Sequence, residues 1–225
     1  MFGNHPLVMA AGFQSWTSWL AGETDKAERE RLESERFSEE VNHPFDRCWQ
    51  LMPGSLVAYH SGREEAFSAN VEKALKIGEA QQIPFVNMLL GPIWVGLGHI
   101  LNERWREAIE IMPGPIEGWR QMGGGVAIPF WTGSLAVAHC KVGEFDQACG
   151  LINNAIEAAE QTGEAWYGPE LYRIKGEILM ARDAEDRQAA EACFSKALSW
   201  ADASRSFALS ARARQSMQEF GMLRS

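Results

Sequence analysis

The stretch that decides the fold is Gly22-Glu-Thr-Asp-Lys-Ala27, a short turn that leads into polar residues and ends on an alanine. Similar stretches recur as Ser61-Gly-Arg-Glu-Glu-Ala66, Glu103-Arg-Trp-Arg-Glu-Ala108 and Gly143-Glu-Phe-Asp-Gln-Ala148. Each is typical of a turn followed by the first turn of a helix, where the helix dipole favours acidic side chains. The recurrence indicates an internal repeat.

Small residues stand at a fixed distance before these alanines. Counting back 12 residues reaches Ser15, Gly54, Gly96 and Ala136. A fifth pair, Gly176 and Ala192, is 16 residues apart and indicates a turn lengthened by four residues. Two helices that cross closely need small side chains where they meet. We therefore predict a series of antiparallel helical hairpins.

The spacing of apolar residues predicts an all-α chain without strands. The first helices of the hairpins are expected at 7–20, 45–60, 85–101, 127–142 and 166–181, and their partners at 24–41, 64–81, 104–121, 146–161 and 187–203. A final helix is expected at 205–219. The hairpins (7–41, 45–81, 85–121, 127–161 and 166–203) would form a single domain over residues 1–225.

Prolines should disturb two of these helices. Pro92 should kink or delay the helix at 85–101, because proline removes a backbone donor and clashes with the preceding turn. Met112-Pro-Gly-Pro115 should break the helix at 104–121 and leave Ile116 to Met122 as a separate turn or short helix.

Several segments together resemble a known bacterial arrangement. They are His5-Pro, Trp16 to Gly22, Glu164-Ala-Trp-Tyr-Gly-Pro-Glu-Leu-Tyr-Arg-Ile-Lys-Gly-Glu177 and Ala190-Glu-Ala-Cys-Phe-Ser-Lys-Ala-Leu198. The chain resembles the tetratricopeptide (TPR)-like C-terminal region of large signalling proteins that combine a predicted ATPase with an adenylate/guanylate cyclase or a transcription-activator domain. The resemblance implies a right-handed superhelix of about five TPR-like hairpins plus a C-terminal capping helix. It also implies a regulatory or partner-docking arm.

Composition and motifs exclude several classes of function. The net charge of −9 and the pI near 5.1 disfavour nucleic acid, whose affinity for proteins comes mainly from Lys and Arg. We expect no membrane span and a cytoplasmic location, because no apolar stretch approaches the length that a bilayer requires. No phosphate loop, nucleophile elbow or metal-ligand spacing is present, so we expect no enzyme activity, cofactor or metal.

Candidate partner-binding residues follow from the resemblance, in which the first helix of each hairpin lines a concave groove. The positions that it nominates are Trp16, Trp19, Leu51, Ser55, Phe130, Val137, Arg173 and Glu177. Glu170 joins the set because Glu170, Arg173 and Glu177 share one helical face. This charged row has two interpretations, ion pairs on a solvated face or a polar contact within the groove.

Three functional hypotheses remain open at this stage. The leading one is a non-catalytic scaffold whose concave groove binds a peptide or a partner protein domain in bacterial signalling or transcription regulation. The second is a small-molecule-sensing regulatory arm of a cyclase- or ATPase-type signalling protein. The third is self-assembly as a homodimer through the apolar N-terminal helix, which carries Val8, Met9, Phe13, Trp16 and Trp19.

Overall fold

A computed structural model describes residues 5–223, and this part of the chain contains helices and no strand, as the sequence predicts. The α-helices are α1 (Pro6–Leu20), α2 (Thr24–Val41), α3 (Pro44–Trp49), α4 (Leu51–His60), α5 (Glu64–Ala80), α6 (Gly91–Leu101), α7 (Trp105–Ile111), α8 (Pro113–Gln121), α9 (Ile128–Lys141), α10 (Phe145–Thr162), α11 (Gly168–Arg182), α12 (Arg187–Ala203) and α13 (Phe207–Glu219). A π-helix covers Phe85–Leu90, and short 3₁₀-helices cover Ala165–Tyr167 and Ala184–Asp186.

The chain divides into two compact units, Met1–Arg104 (unit 1) and Trp105–Ser225 (unit 2). In unit 1, α1 packs on α2 and α4, and α5 packs on α3, α4 and α6. In unit 2, each helix from α9 to α13 packs on the next, and α11 also packs on α9 and on α13. The boundary falls inside the third expected hairpin, so the pairing of that hairpin and the single domain over 1–225 stay predictions.

Prolines break or delay helices at three places. Residues 85–90 are π-helical and α6 begins at Gly91, with Pro92 in its first turn, so Pro92 delays the α-helix as predicted. The helix at 104–121 breaks after Ile111, but the new helix begins at Pro113 and not at Ile116. A break between α3 and α4 was not expected; it follows from Pro53, which has no N–H to donate four residues back.

The turns that follow α1, α4, α6 and α9 share one backbone geometry. Gly22 and Gly143 adopt positive φ angles of 76° and 81°, and Gly62 and Glu103 occupy the same place in their turns. In the first turn, the N–H of Gly22 donates to the carbonyl of Trp19, and the N–H of Glu23 donates to that of Ser18. These two bonds form a Schellman motif, which satisfies the last carbonyls of a helix.

In two of the second helices, the buried residue near the start of the helix is not the alanine that the sequence pattern indicated. The fourth residue of α5 is Phe67, which is buried, whereas the predicted Ala66 is exposed. Likewise Ala190 is buried in α12, whereas Ala192 is exposed. Ser15 in α1 lies against α2, because its hydroxyl donates to the carbonyl of Ala27 over 2.7 Å. The repeat in the first helices then runs from Ser15 through Ser55, Gly96, Ala136 and Gly176 at intervals of 40 or 41 residues.

Within the described residues, no helix is both long enough and apolar enough to cross a bilayer.

Candidate partner-binding grooves

A groove in unit 2 lies where α9, α11 and the end of α13 come together. Its volume is about 320 Å³. It is lined by Val137, Cys140, Lys141, Phe145, Ile174, Glu177, Ile178, Ala181, Glu219 and Phe220. We call it the α11 groove. It places two of the predicted residues, Val137 and Glu177, on the same site.

Close packing of α9 on α11 fixes the shape of this groove. Gly133 of α9 lets Leu171 of α11 approach, because a Cβ at Gly133 would lie 2.7 Å from Leu171 Cδ2. Ile174 and Ile178 stand one and two turns further along α11 and are almost fully buried, so they form an apolar floor. The groove therefore offers apolar contact at its base.

Charged side chains surround this apolar floor. Lys141 and Glu219 are exposed at the groove, and Glu177 is half-buried beside them. Cys140 also lines the groove, and burial raises the pKa of its thiol, which keeps it protonated at neutral pH. The arrangement suits an apolar side chain that enters the groove with polar or charged neighbours at the rim.

The predicted charged row of Glu170, Arg173 and Glu177 lies in unit 2 and is covered by α13. It is therefore not a solvated face. Glu170 is 2% exposed and accepts bonds from Arg173 Nη2 over 2.7 Å and from Arg212 Nη2 over 2.8 Å. Arg173 also pairs with Glu177, whose carboxylate accepts from the Ser216 hydroxyl over 2.8 Å. The row therefore ties α13 to α11, and only Glu177 also reaches the groove.

The two arginines control the ionisation of Glu170. Burial alone would raise the pKa of this carboxyl, but the charges and hydrogen bonds of Arg173 and Arg212 outweigh burial and hold the pKa well below its usual range. The nearby carboxylates likewise raise the pKa of the Arg173 guanidinium against the effect of burial. Glu170 and Arg173 therefore both stay ionised at neutral pH.

Unit 1 contains a second groove, of about 370 Å³, between α1, α2 and α4. It is lined by Ser15, Trp19, Thr24, Ala27, Glu28, Arg31, Val57, Ser61 and Arg63. The predicted Trp19 forms one wall and stacks on Trp16 with ring centroids 5.0 Å apart. Trp16 itself is buried, so it supports the wall from behind. Glu28 and Arg31 pair across the rim at 2.8 Å.

The other predicted residues lie in the interior. Leu51 and Ser55 are buried and line a small, partly open cavity of about 30 Å³ with Trp94 and other apolar side chains. Phe130 is fully buried and packs edge-on against Tyr167, with ring centroids 5.0 Å apart. Their assignment to a partner groove stays a prediction.

Sequence reasoning missed several groove residues. Ile174 and Ile178 were not assigned to any site, although their spacing of four places them on one helix face. Phe145 and Phe220 lie at the ends of α10 and α13, and their position depends on how the helices pack. No group of three His, Cys, Asp or Glu side chains suited to a metal ion occurs between residues 5 and 223.

Comparison with known proteins adds one relative. No protein-family model matches the chain. An uncharacterized protein of Rhizobium meliloti (strain 1021) is 25% identical over 233 residues, in an alignment that covers 99% of this chain and 22% of that protein. The chain thus spans about a fifth of the length of this curated relative. A sequence identity of 25% does not assign the chain to a family.

Proposed function

We propose that this chain is a non-catalytic interaction scaffold built of TPR-like hairpins, and that its α11 groove binds a peptide segment of a partner protein. The observation that carries the proposal is the groove itself, where an apolar floor and a charged rim meet on the first helices of successive hairpins. Scaffolds of stacked hairpins commonly bind partners on this side.

The order of helix contacts supports the finer architecture. In a stacked repeat each hairpin contacts only its neighbours. Helices α9 to α13 follow that pattern, since each packs on the next and α9, α11 and α13 pack side by side. The repeat of 40 or 41 residues in the first helices agrees with it, although it exceeds the ~34 residues of a common TPR. The right-handed superhelix of five hairpins with α13 as the cap is part of our proposal.

The groove chemistry suggests the kind of peptide that it would accept. An apolar side chain would pack on Ile174 and Ile178 and lose contact with water. Its neighbours would be polar or charged, because Lys141 and Glu219 are exposed at the rim, whereas Glu177 is already paired with Arg173. Apolar contact would then supply affinity, and the rim would supply selectivity.

Selection from a random peptide library, followed by titration against variants, tests this proposal. Val137→Arg places a charge on the groove wall, and Val126→Arg places the same charge on an exposed loop position that does not line the groove. We expect selected peptides to carry an apolar anchor beside polar or charged residues, and their affinity to fall at least tenfold with Val137→Arg only. Failure to enrich any peptide, or equal loss with both variants, would contradict the proposal.

The context of this arm also belongs to the proposal. We infer a role in cytoplasmic bacterial signalling or transcription regulation, as the resemblance implies, and the match to a small part of a much longer relative is compatible with it. Small-molecule sensing at the cavity beside Leu51 is less favoured, because that cavity measures about 30 Å³, whereas an engineered protein cavity that binds benzene measures roughly 150 Å³.

A further inference from the structure

The groove between α1, α2 and α4 in unit 1, which we call the Trp19 groove, has an aromatic wall. Trp19 lines it and is half-buried. The ring centroid of Trp19 lies 5.0 Å from that of Trp16 and 5.8 Å from that of His60, and the centroids of Trp16 and His60 are 5.3 Å apart. Rings on opposite faces of Trp19 would lie much farther from each other. Trp16 and His60 are therefore on the same side of Trp19, and neither ring covers its opposite face.

The charged side chains of the Trp19 groove leave one positive charge without a partner. Both carboxylate oxygens of Glu28 accept hydrogen bonds from Arg31, over 2.8–3.1 Å. Arg31 also pairs with Glu35, which in turn pairs with Lys73, so these four charges balance. Arg63 lines the groove and is exposed, and it forms no ion pair or side-chain hydrogen bond among the residues that the structure describes. Its guanidinium group is therefore free to bind an anion.

Hydroxyl groups and a helix end add hydrogen-bond donors to the groove. Thr24 and Ser61 line it and are exposed. Thr24 is the first residue of α2, which has no side-chain cap, so this helix end carries a partial positive charge that no side chain of the cap position offsets. The acidic residues next to these turns, Glu23, Asp25 and Glu64, are exposed and do not line the groove. The groove thus presents donors and no unpaired carboxylate.

We propose that the Trp19 groove binds a small aromatic carboxylate, whose ring stacks on the open face of Trp19 and whose carboxylate pairs with Arg63. A guanidinium group can hold a carboxylate through two parallel hydrogen bonds, and aromatic rings pack on one another in offset stacks. Ala27 and Val57 complete the apolar part of the lining. The groove volume of about 370 Å³ lies within the range of ~300–1,000 Å³ that small-molecule sites occupy.

The charge of the Trp19 groove selects among ligands of similar size. One unpaired cation suits one carboxylate. A phosphate ester carries about two negative charges at neutral pH and would place the second one near Glu28 without a partner. A cationic ligand would meet Arg63, because Glu28 is already paired with Arg31. The groove therefore favours a monoanion.

Isothermal titration calorimetry of the full chain with three probes tests the chemistry of the ligand. Cinnamate carries the ring and the charge, cinnamamide carries the same ring without charge, and hexanoate carries the charge without a ring. We expect cinnamate to bind at one site per chain and each of the other two to bind roughly tenfold more weakly, because each lacks one of the two contacts. Absence of cinnamate binding at millimolar concentrations, or equal binding of cinnamamide, would overturn the proposal.

Two arginine substitutions give a matched test of the site. Arg63 and Arg104 occupy the same place in their turns, since each follows a residue of positive φ, Gly62 or Glu103, and both arginines are exposed. Arg104 does not line the Trp19 groove. Arg63→Gln should weaken cinnamate binding roughly tenfold or more, and Arg104→Gln should leave it unchanged. Equal weakening by both substitutions would refute the assignment of the cation.

A third variant tests the aromatic wall. Trp19→Leu keeps an apolar side chain but removes the stacking face, so it should lower the affinity for cinnamate to that for hexanoate, with an unchanged far-UV circular dichroism spectrum. Loss of cinnamate binding with Val137→Arg but not with Arg63→Gln would locate the ligand in the α11 groove and overturn the proposal. The peptide proposal for the α11 groove can fail without affecting this result, because the two sites lie in different units.

Discussion

Single glycines decide how closely the paired helices approach. A Cβ at Gly176 of α11 would lie 2.6 Å from Cε1 of Phe194, a fully buried ring in α12. Gly176→Ala should therefore force the two helices apart. Overpacking of a core costs about 1–3 kcal/mol, and the better helix propensity of alanine offsets up to about 1 kcal/mol of it. We expect a net loss of unfolding free energy in chemical denaturation.

Gly150 provides the control for this substitution. It also lies within a helix, α10, but a Cβ there would meet nothing within 4 Å. Gly150→Ala should stabilise the protein by about 0.5–1 kcal/mol through helix propensity alone. If both variants shifted the unfolding free energy in the same direction, the close approach at Gly176 would be disproved.

The buried carboxylate of Glu170 should be important for stability. Glu170→Gln removes the negative charge between Arg173 and Arg212, and removal of one partner from a buried ion pair costs about 3–5 kcal/mol. Glu117→Gln removes a carboxylate from an exposed pair with Arg120 and should cost less than about 1 kcal/mol. Urea denaturation of both variants measures the difference, and equal effects would refute the burial argument.

The same carboxylate predicts how stability depends on pH. Its pKa in the folded protein lies below the ordinary value of 4.5, so its contribution is present above that pH and is lost as the pH falls. The stability gap between wild type and Glu170→Gln should therefore narrow steadily as the solution is made more acidic than pH 4.5. Denaturation curves at a series of pH values would contradict this if the gap stayed constant or widened.

Residue patterns predicted small residues at helix crossings but misplaced some of them. Ala66 and Ala192 matched the alanine pattern, yet Phe67 and Ala190 are the buried residues. A single-residue offset in a turn rotates a helix position by about 100°, which composition alone does not reveal. The sequence also indicated that Glu170, Arg173 and Glu177 share a helix face. It did not indicate that α13 covers that face, because this depends on how the helices pack.

At the scale of the elements, the recurring turn makes a further prediction. Glu103 has a positive φ of 56° where the corresponding turns have glycine. A side chain in the left-handed region costs about 1–2 kcal/mol, of which the flexibility of glycine in the unfolded chain offsets part. Glu103→Gly should therefore raise the free energy of unfolding by up to about 1 kcal/mol.

The reverse substitution at an equivalent turn is the control. Gly143 has a φ of 81° and free space around a Cβ, so Gly143→Ala should cost about 1 kcal/mol through backbone strain alone. Thermal unfolding of both variants checks the pair. Destabilisation by Glu103→Gly would show that the turns are not equivalent.

Helices themselves were largely predictable because turn residues and prolines mark their ends. The α2 helix, Thr24–Val41, matches the expected 24–41, and α12, Arg187–Ala203, matches 187–203. The split between α3 and α4 was missed, although Pro53 is visible in the sequence. Proline is tolerated in the first turn of a helix, so its effect depends on where the helix begins.

At the scale of the whole molecule, the repeat was accessible from sequence and the grooves were not. Repeats leave a periodic signal, and here the spacing from Ser15 to Gly176 carries it. A groove depends on side chains from several helices, such as Val137, Ile178 and Phe220, which are far apart in the chain. Only Val137 and Glu177 of the predicted set reach the α11 groove, because the resemblance nominates a helix face but does not indicate which residues on that face are buried.

The most direct test of the scaffold proposal is nuclear magnetic resonance mapping of a selected peptide on the isotopically labelled chain. We predict that the largest chemical-shift changes fall on Val137, Lys141, Ile174, Ile178 and Glu219, and that Val137→Arg abolishes them. Shift changes concentrated elsewhere in the chain, or unaffected by Val137→Arg, would contradict the account.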